Sequence, residues 1–404
     1  MPYLHTLPSL SLHADGVLWV GLALVLATLM GESVLRLLRW PRLIGFTAAG
    51  LLIAAGGGGL EALALQPGAR AVVDAALAML LFELGHRVNL RWLHANPWLV
   101  FTSLGEWGLS LLAGWAALSL FGLGGMPGLA VSAALACASP AVALRLSGEF
   151  HARGQVTERM LLLSALGTTL SLLCVGVLTG WIGAQSSGHW WEPLLRQAYA
   201  LGGAVLAAAV LAWAVNWVER HFDFADEGAA LLLVGLILLV LSITRALHWS
   251  SMLTPLLAGM LLRLYSERPR VWPRHFGTAG GVLVVLLFLI IGLSLNTHML
   301  VEGLSAGCTL ALLRVLAKLA APLALGRPSG LSWRQSLTLG MSLSPAAGVS
   351  FVLLLDLGAS QLVLPPMLLD AGFAAVAVLL LAGTLAARWA LGRAGDIKAP
   401  PVAR

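Results

Sequence analysis

The sequence reads CASPAVAL at residues 137–144 and SLSPAAGVSFVLL at residues 342–354, and the rest of the fold follows from these two stretches. Each carries a serine–proline pair, Ser139-Pro140 and Ser344-Pro345, where an apolar helix would otherwise continue. Proline lacks a backbone N–H and clashes with the preceding turn, so it breaks or kinks a helix. In lipid, a break is tolerated only beside protein or a water-filled cavity. Two breaks in corresponding halves of a chain predict a transporter's binding site.

The composition is typical of a helical membrane protein. Hydrophobic residues make up 59% of the 404 residues and charged residues 10%, whereas soluble domains carry about 25% charged residues. Basic residues are scattered at the ends of the apolar runs, which argues against nucleic acid as a partner and for a lipid bilayer. The sequence contains no His-Glu-x-x-His pattern, and its Gly-x-Ser-x-Gly match at residues 303–307 lies within an apolar run rather than at a strand-to-helix turn. We therefore predict that the protein is not an enzyme and holds no cofactor or metal.

The apolar runs predict about thirteen membrane-spanning helices. With the N-terminus outside, nineteen of the 24 Lys and Arg residues lie at inner ends, three lie at outer ends and two lie inside a span. Cytoplasmic loops are rich in Lys and Arg, so this bias predicts an outside N-terminus and a cytoplasmic C-terminus in an inner (plasma) membrane. The runs cover residues 16–38, 41–57, 70–88, 97–121, 127–148, 158–181, 194–218, 228–247, 250–264, 277–293, 301–325, 334–355 and 365–391.

Four stretches carry a resemblance to a known family. They read SAALACASPAVALRLSGE at 132–149, ERMLLLSALGTTLSLL at 158–173, LLRVLAKL at 312–319 and WRQSLTLGMSLSPAAGVSFVLL at 333–354. Their order and spacing resemble those of the monovalent cation:proton antiporters, the sodium/proton and potassium/proton exchangers with thirteen helices. The resemblance implies an all-α membrane protein with inverted repeats, two crossed discontinuous helices and a homodimeric assembly.

The same resemblance implies a division of the chain. Residues 95–181 and 301–394 would form a core that moves against a scaffold. Residues 1–94 and 182–300 would form that scaffold and the dimer contact, and residues 395–404 a short cytoplasmic tail.

One departure from the family stands at the centre of the sixth span. Family members carry an aspartate there, after an asparagine or a second aspartate, and it binds cation and proton in competition. Gly167 and Thr168 hold the matching positions, and no carboxylate follows Glu158 on this span. A hydroxyl can ligate sodium but cannot carry a proton near neutral pH. The family's usual site is therefore incomplete at this position.

Hydroxyl and carbonyl oxygens are the remaining candidates for binding an ion. Ser164 and Thr168 are four residues apart and share a helix face, beside the carbonyls freed at Ser139-Pro140 and Ser344-Pro345. The alternative is that these hydroxyls bond to their own helix and assist packing. The two interpretations stay open.

Three charged residues fall near mid-membrane. Glu106 lies about 13 Å along its span at 1.5 Å per residue, and an ionisable group at that depth is a functional hypothesis by default. We predict that Glu106 carries the proton, or else that it is a structural partner of Arg314. Arg314 and Lys318 are four residues apart and face one way, and we expect Arg314 to brace the broken helices.

Three functions fit these observations. The first is exchange of a monovalent cation (Na⁺, K⁺ or Li⁺) for protons, with alternating access to the mid-membrane site. The second is the same fold moving an anion or a neutral solute, with Arg314 and Lys318 supplying charge. The third is a non-transporting membrane sensor or subunit.

Overall fold

The computed structural model describes residues 16–56, 67–184, 191–221, 226–265, 276–295, 297–360, 362 and 364–397. Every regular element in these ranges is a helix, which confirms the all-α prediction. Six of the described helices are long and apolar enough to cross a membrane by length and composition, and the others are shorter or more polar. Residues 1–15 and most of the predicted tail lie outside the described ranges, and the division into core and scaffold stays a prediction.

The helices follow all thirteen predicted spans. In chain order they are α1 (Gly16–Leu38), α2 (Arg42–Ala55), α3 (Pro67–Arg87), α4 (Leu90–Ala95), α5 (Trp98–Leu120), α6 (Gly125–Ala136), α7 (Pro140–Glu149), α8 (Gln155–Ala184), α9 (Glu192–His221), α10 (Asp226–Ala246), α11 (Leu253–Tyr265), α12 (Phe276–Ser294), α13 (Thr297–Leu325), α14 (Trp333–Ser342), α15 (Gly348–Ala359), α16 (Pro366–Val378) and α17 (Thr384–Ala394).

Helix α4 is the element that the apolar runs did not predict. The side chain of Asn89 accepts hydrogen bonds from the backbone N–H groups of Arg91 at 3.1 Å and Trp92 at 3.3 Å. Asparagine is a favoured N-cap because its oxygen satisfies donors of the first turn that have no partner within the helix. This cap starts a helix of six residues, too short for hydropathy to reveal.

The two serine–proline pairs do interrupt their spans, as predicted. Helix α6 ends at Ala136, Cys137 is extended, and α7 starts at Pro140, where the missing N–H costs nothing. Helices α14 and α15 are separated by residues 343–347. The backbone N–H of Ser139 donates to the carbonyl of Pro345 at 2.9 Å. The breaks therefore meet, and the two discontinuous helices cross there.

Glycines let two other pairs of helices approach backbone to backbone. A Cβ added to Gly50 of α2 would lie 2.2 Å from the carbonyl oxygen of Leu289 on α12, and one on Gly292 of α12 would lie 2.2 Å from that of Thr47. Gly85 of α3 and Gly259 of α11 meet the facing backbone in the same way, at 2.1 and 2.2 Å. In lipid no hydrophobic driving force brings helices together, and small residues at such crossings permit the close van der Waals packing that does so instead.

The helices around the crossing include one irregular segment. Helix α13 packs along both α5 and α16. Between α16 and α17 the chain forms a π-helical turn, Leu379–Gly383, so the final span is continuous but locally widened. A Cβ on Gly383 would lie 3.0 Å from the backbone N and Cα of Pro345. The π-helical turn therefore lies directly against the second break.

Candidate functional site

Arg314 of α13 joins the two breaks. Its guanidinium donates to the carbonyls of Leu135 at 2.5 Å, Ser344 at 2.6 Å and Cys137 at 2.7 Å, and the side chain is buried. These carbonyls lie at or beside the ends of α6 and α14, where the last groups of a helix have no intrahelical partner. Arginine suits this arrangement because its five donors are fixed in one plane.

Glu106 forms its direct ion pair with Lys318 rather than with Arg314. The carboxylate of Glu106 accepts a hydrogen bond from Lys318 Nζ through Oε2. Lys318 also donates to the carbonyl of Ala136 at 2.6 Å. Lys318 lies one turn further along α13 than Arg314, so the two basic residues take different partners. Arginine binds the breaks, and lysine binds the acid.

The second carboxylate oxygen of Glu106 points to the position where the sixth span lacks its acid. A Cβ added to Gly167 of α8 would lie 3.5 Å from Glu106 Oε1 and 3.7 Å from Cys137 Cα. Oε1 is buried and has no hydrogen-bond partner. A carboxylate carried by α5 therefore lies beside the point where a side chain on α8 would begin.

The predicted hydroxyls divide into bonded and unbonded groups. Ser164 donates to the carbonyl of Leu161 at 2.8 Å, which matches the packing alternative for that residue. Thr168 Oγ1 and Ser344 Oγ are fully buried and have no partner. Ser139 accepts from the N–H of Val142 at 3.4 Å and so caps α7. The hydroxyls of Thr168 and Ser344 thus have neither role taken, whereas Ser164 uses its proton and Ser139 a lone pair within their own segments.

The charges of this region do not cancel. Within the part of the chain that the structure describes, the charged side chains exposed by 1% or less are Glu106, Arg314 and Lys318. With all three ionised, the region carries one net positive charge. A buried charge without a counter-charge is costly. The region is therefore poised to lose a proton or to gain a negative charge.

Two cavities lie at opposite ends of α3. One of about 860 Å³ lies at the predicted inner end, and we call it the inner cavity. The other, of about 560 Å³, lies at the predicted outer end, and we call it the outer cavity. Charged residues line the inner cavity at Glu32, Arg42, Glu83, Arg87, Arg145 and Glu149, and the outer cavity at Arg70, Asp74, Arg245 and Asp356.

A leucine packs against the second break, and two ion pairs line the outer cavity. Leu77 of α3 lies against the crossing, because a Cβ on Gly348 would be 2.7 Å from Leu77 Cδ2. In the outer cavity, Arg70 pairs with Asp356 of α15, and Arg245 of α10 pairs with Asp74. The outer pairs tie α3 to the second discontinuous helix and α10 to α3. The inner cavity lies between α3 and α7.

Sequence reasoning missed two features of the site. It placed Glu106 and Arg314 together because both lie near mid-membrane, although depth alone cannot distinguish Arg314 from Lys318. It also passed over Thr384, which is fully buried and without a hydrogen-bond partner. Among the described residues no group of three His, Cys, Asp or Glu side chains could hold a metal ion.

Comparison with known proteins gives consistent results along nearly the whole chain. A family model described as the transmembrane part of sodium/hydrogen exchangers matches residues 16–391. The fold is similar to that of the sodium proton antiporter MjNhaP1 from Methanocaldococcus jannaschii at pH 8, with a TM-score of 0.74 and 19% identity over 94% of this chain and 98% of that one. A second structure of MjNhaP1, from an electron microscopy map, gives a TM-score of 0.73 and 16% identity over 95% and 99% of the two chains.

Proposed function

Because the chain belongs to the sodium/hydrogen exchanger family, we propose that it exchanges a monovalent cation (Na⁺, K⁺ or Li⁺) for protons through the region around Glu106. The family makes it a multi-pass membrane transporter of the antiporter type rather than an enzyme. The proposal concerns the site, the proton-carrying group and the ion.

One observation carries this proposal, namely the position of the Glu106 carboxylate beside Gly167. An exchanger of this kind needs an acid that takes either a proton or a cation. The sixth span does not supply one. Glu106 supplies a carboxylate from the neighbouring helix, with Oε1 unpartnered and 3.5 Å from the position of a Gly167 Cβ. We infer that the acidic function has moved from α8 to α5.

The contacts of Glu106 suggest how exchange is coupled. Lys318 already occupies one carboxylate oxygen as a built-in cation. An entering cation adds a positive charge to a region that already has an excess, so it is stable there only if a proton leaves: from Glu106 where that acid is protonated, or from Lys318 where Glu106 is ionised. Proton return then favours release of the cation. The free oxygens of Thr168 and Ser344 would complete its coordination, and Arg314 would hold the breaks in register.

Sidedness and assembly are part of the proposal. The distribution of Lys and Arg supports an outside N-terminus and a cytoplasmic C-terminus in the inner (plasma) membrane. The Arg70–Asp356 and Arg245–Asp74 pairs would then close the outside, with the inner cavity open to the cytoplasm. The family resemblance supports a homodimer.

The net positive charge also favours one competing cargo. Two cations facing one carboxylate would attract an anion, so an anion exchanger on the same fold is the second candidate. A neutral solute or a non-transporting sensor has no comparable observation in its favour. Thermal stabilisation by anions but not by Na⁺, K⁺ or Li⁺ would favour the anion carrier.

The decisive experiment moves the carboxylate. Purified protein is reconstituted in vesicles containing a pH-sensitive dye, and Na⁺, K⁺ or Li⁺ is added across pH 6–9. We expect cation-dependent proton flux in the wild type and its loss to background in Glu106→Gln, because an amide can neither take up a proton in this range nor supply a negative charge. Glu106→Ala combined with Gly167→Asp should recover flux, whereas Glu106→Ala with Gly167→Ala should not.

Each outcome has a defined meaning. Flux that persists in Glu106→Gln would remove Glu106 from the proton pathway. Absence of flux with every cation in folded wild-type protein would overturn the proposed function. Recovery by the transferred aspartate would show that the position of the carboxylate, rather than the identity of its helix, is what exchange requires.

A further inference from the structure

Two threonines of this chain behave differently from the others. Threonine in a helix usually donates to the carbonyl three or four residues earlier. Among the threonine side chains that the structure describes, all but Thr168 and Thr384 make a hydrogen bond. The bonded ones are Thr28, Thr47, Thr102, Thr157, Thr169, Thr179, Thr244, Thr254, Thr309 and Thr338.

The two exceptions occupy matching places. Each follows a glycine, Gly167 or Gly383, on the last helix of its half of the site. A Cβ on Gly167 would lie 3.7 Å from Cys137 Cα at the first break. A Cβ on Gly383 would lie 3.0 Å from the backbone of Pro345 at the second. A Gly-Thr pair therefore lies against each break.

The local backbone conformation also distinguishes Thr384 from the other threonines. It directly follows the π-helical turn Leu379–Gly383. Such turns disturb the regular ladder of hydrogen bonds and often occur at functional sites. At Thr384 the Oγ1 atom is fully buried and unbonded. Buried polar groups in native proteins are almost always satisfied, so an unbonded one needs an explanation.

We propose that the hydroxyl oxygen of Thr384 is a further ligand of the transported monovalent cation, acting at the second break as Thr168 acts at the first. This inference rests on the proposed exchange function and extends it to a residue of the final helix. A threonine that bonds back to its helix has its O–H directed at a neighbouring carbonyl, so the direction of its lone pairs is fixed. A threonine without that bond can turn an oxygen lone pair toward a cation.

The arrangement explains why hydroxyls recur at both breaks. A cation that leaves water must replace its hydration oxygens. Ser344 Oγ, also buried and unbonded, lies in the residue before Pro345, against which Gly383 packs. Neutral oxygens from both halves add coordination without adding charge. Glu106 then remains the charged ligand, and the pseudo-symmetric hydroxyls set the size of the ion that fits.

The test compares isosteric changes at matched threonines. Thr384→Val removes the hydroxyl while keeping the shape, and Thr384→Ser keeps the hydroxyl. Thr338→Val is the control, because Thr338 is equally buried but bonds back to Arg334 at 3.0 Å. The readout is the cation concentration that gives half-maximal proton flux in vesicles, together with the ranking of Na⁺, K⁺ and Li⁺.

We expect Thr384→Val to raise that concentration about tenfold, equivalent to about 1.4 kcal/mol, and to change the ranking of the ions. Thr384→Ser and Thr338→Val should stay close to wild type. If wild-type protein exchanges cations and Thr384→Val matches Thr338→Val, the inference about Thr384 is wrong while the proposed function stands. If folded wild type shows no exchange, both fail.

A second variant covers loss of folding. Thr384→Cys keeps a similar volume but offers sulfur, a soft ligand that suits hard cations poorly. If Thr384→Val does not fold, a folded Thr384→Cys protein with wild-type concentration dependence and ion ranking overturns the inference. A shift in its ranking supports it.

Discussion

Arg314 should be the main structural connection between the two breaks, and replacing it tests that role directly. Arg314→Met removes three hydrogen bonds, to the carbonyls of Leu135, Cys137 and Ser344. A hydrogen bond to a charged group contributes about 1.5–3 kcal/mol, which gives an upper range of about 5–9 kcal/mol. Water entering the site would satisfy part of the loss, so we expect a destabilisation of about 3–9 kcal/mol.

The corresponding thermal shift follows from the size of the chain. The unfolding entropy is about 2.1 cal/mol/K per residue, and the chain has 404 residues. The apparent melting temperature should therefore fall by about 4–11 °C. The assay is tryptophan fluorescence of the purified protein in detergent, for which 15 tryptophans provide the signal. Arg314→Lys should be intermediate, because lysine retains the charge but not the planar set of donors.

Arg327→Met is the matched control. Arg327 is an exposed residue stacked over Trp333 at 5.4 Å, and substitutions at such positions change stability by about 0.5 kcal/mol or less. Arg314→Met protein that melts together with Arg327→Met would contradict the bracing role, and the breaks would then be held by other contacts.

Two further predictions concern ion pairs. Lys318→Met leaves the Glu106 carboxylate buried without its cation. The double variant Glu106→Gln/Lys318→Met removes that unpaired charge, so it should be more stable than Lys318→Met alone by about 3 kcal/mol. Equal melting temperatures of the two variants would exclude a coupled pair. Asp356→Asn should release Arg70 and open the outer cavity, so the buried Cys137 should react faster with a membrane-impermeant thiol reagent added outside, in a background without the other two cysteines. The exchanged pair Arg70→Asp/Asp356→Arg should restore protection, and unchanged labelling in Asp356→Asn would show that the pair does not close this side.

The discontinuous helices were predictable from sequence because proline acts locally. Ser139-Pro140 and Ser344-Pro345 interrupt long apolar runs, and the cost of a broken helix in lipid is large enough to require a crossing with another segment. The position of Glu106 well inside its helix, Trp98–Leu120, was also predictable from residue spacing. These inferences needed only the period of a helix and the thickness of a bilayer.

The pairings within the site were less predictable because they depend on tertiary geometry. Arg314 and Lys318 share a helix face, and only the position of α5 and of the breaks decides which of them meets Glu106. The gap at Gly167 and the candidate acid Glu106 were both visible in the sequence, but the packing that places the Glu106 carboxylate beside Gly167 was not. Thr384 gave no sequence signal, because most threonines in helices donate a hydrogen bond to a carbonyl of their own helix. That Thr384 lacks this bond is visible only in the structure.

The glycine contacts between α2 and α12, and between α3 and α11, define where motion can be measured. At most helix interfaces, side chains can change rotamer and so accommodate a small displacement of one helix against the other. Where backbone contacts backbone, no side chain is available to adjust in this way. Each pair should therefore travel as a single body and keep a constant internal spacing throughout the transport cycle. Spin labels within a pair supply a fixed baseline, against which the displacement of α7 across the inner cavity can be gauged in ångströms.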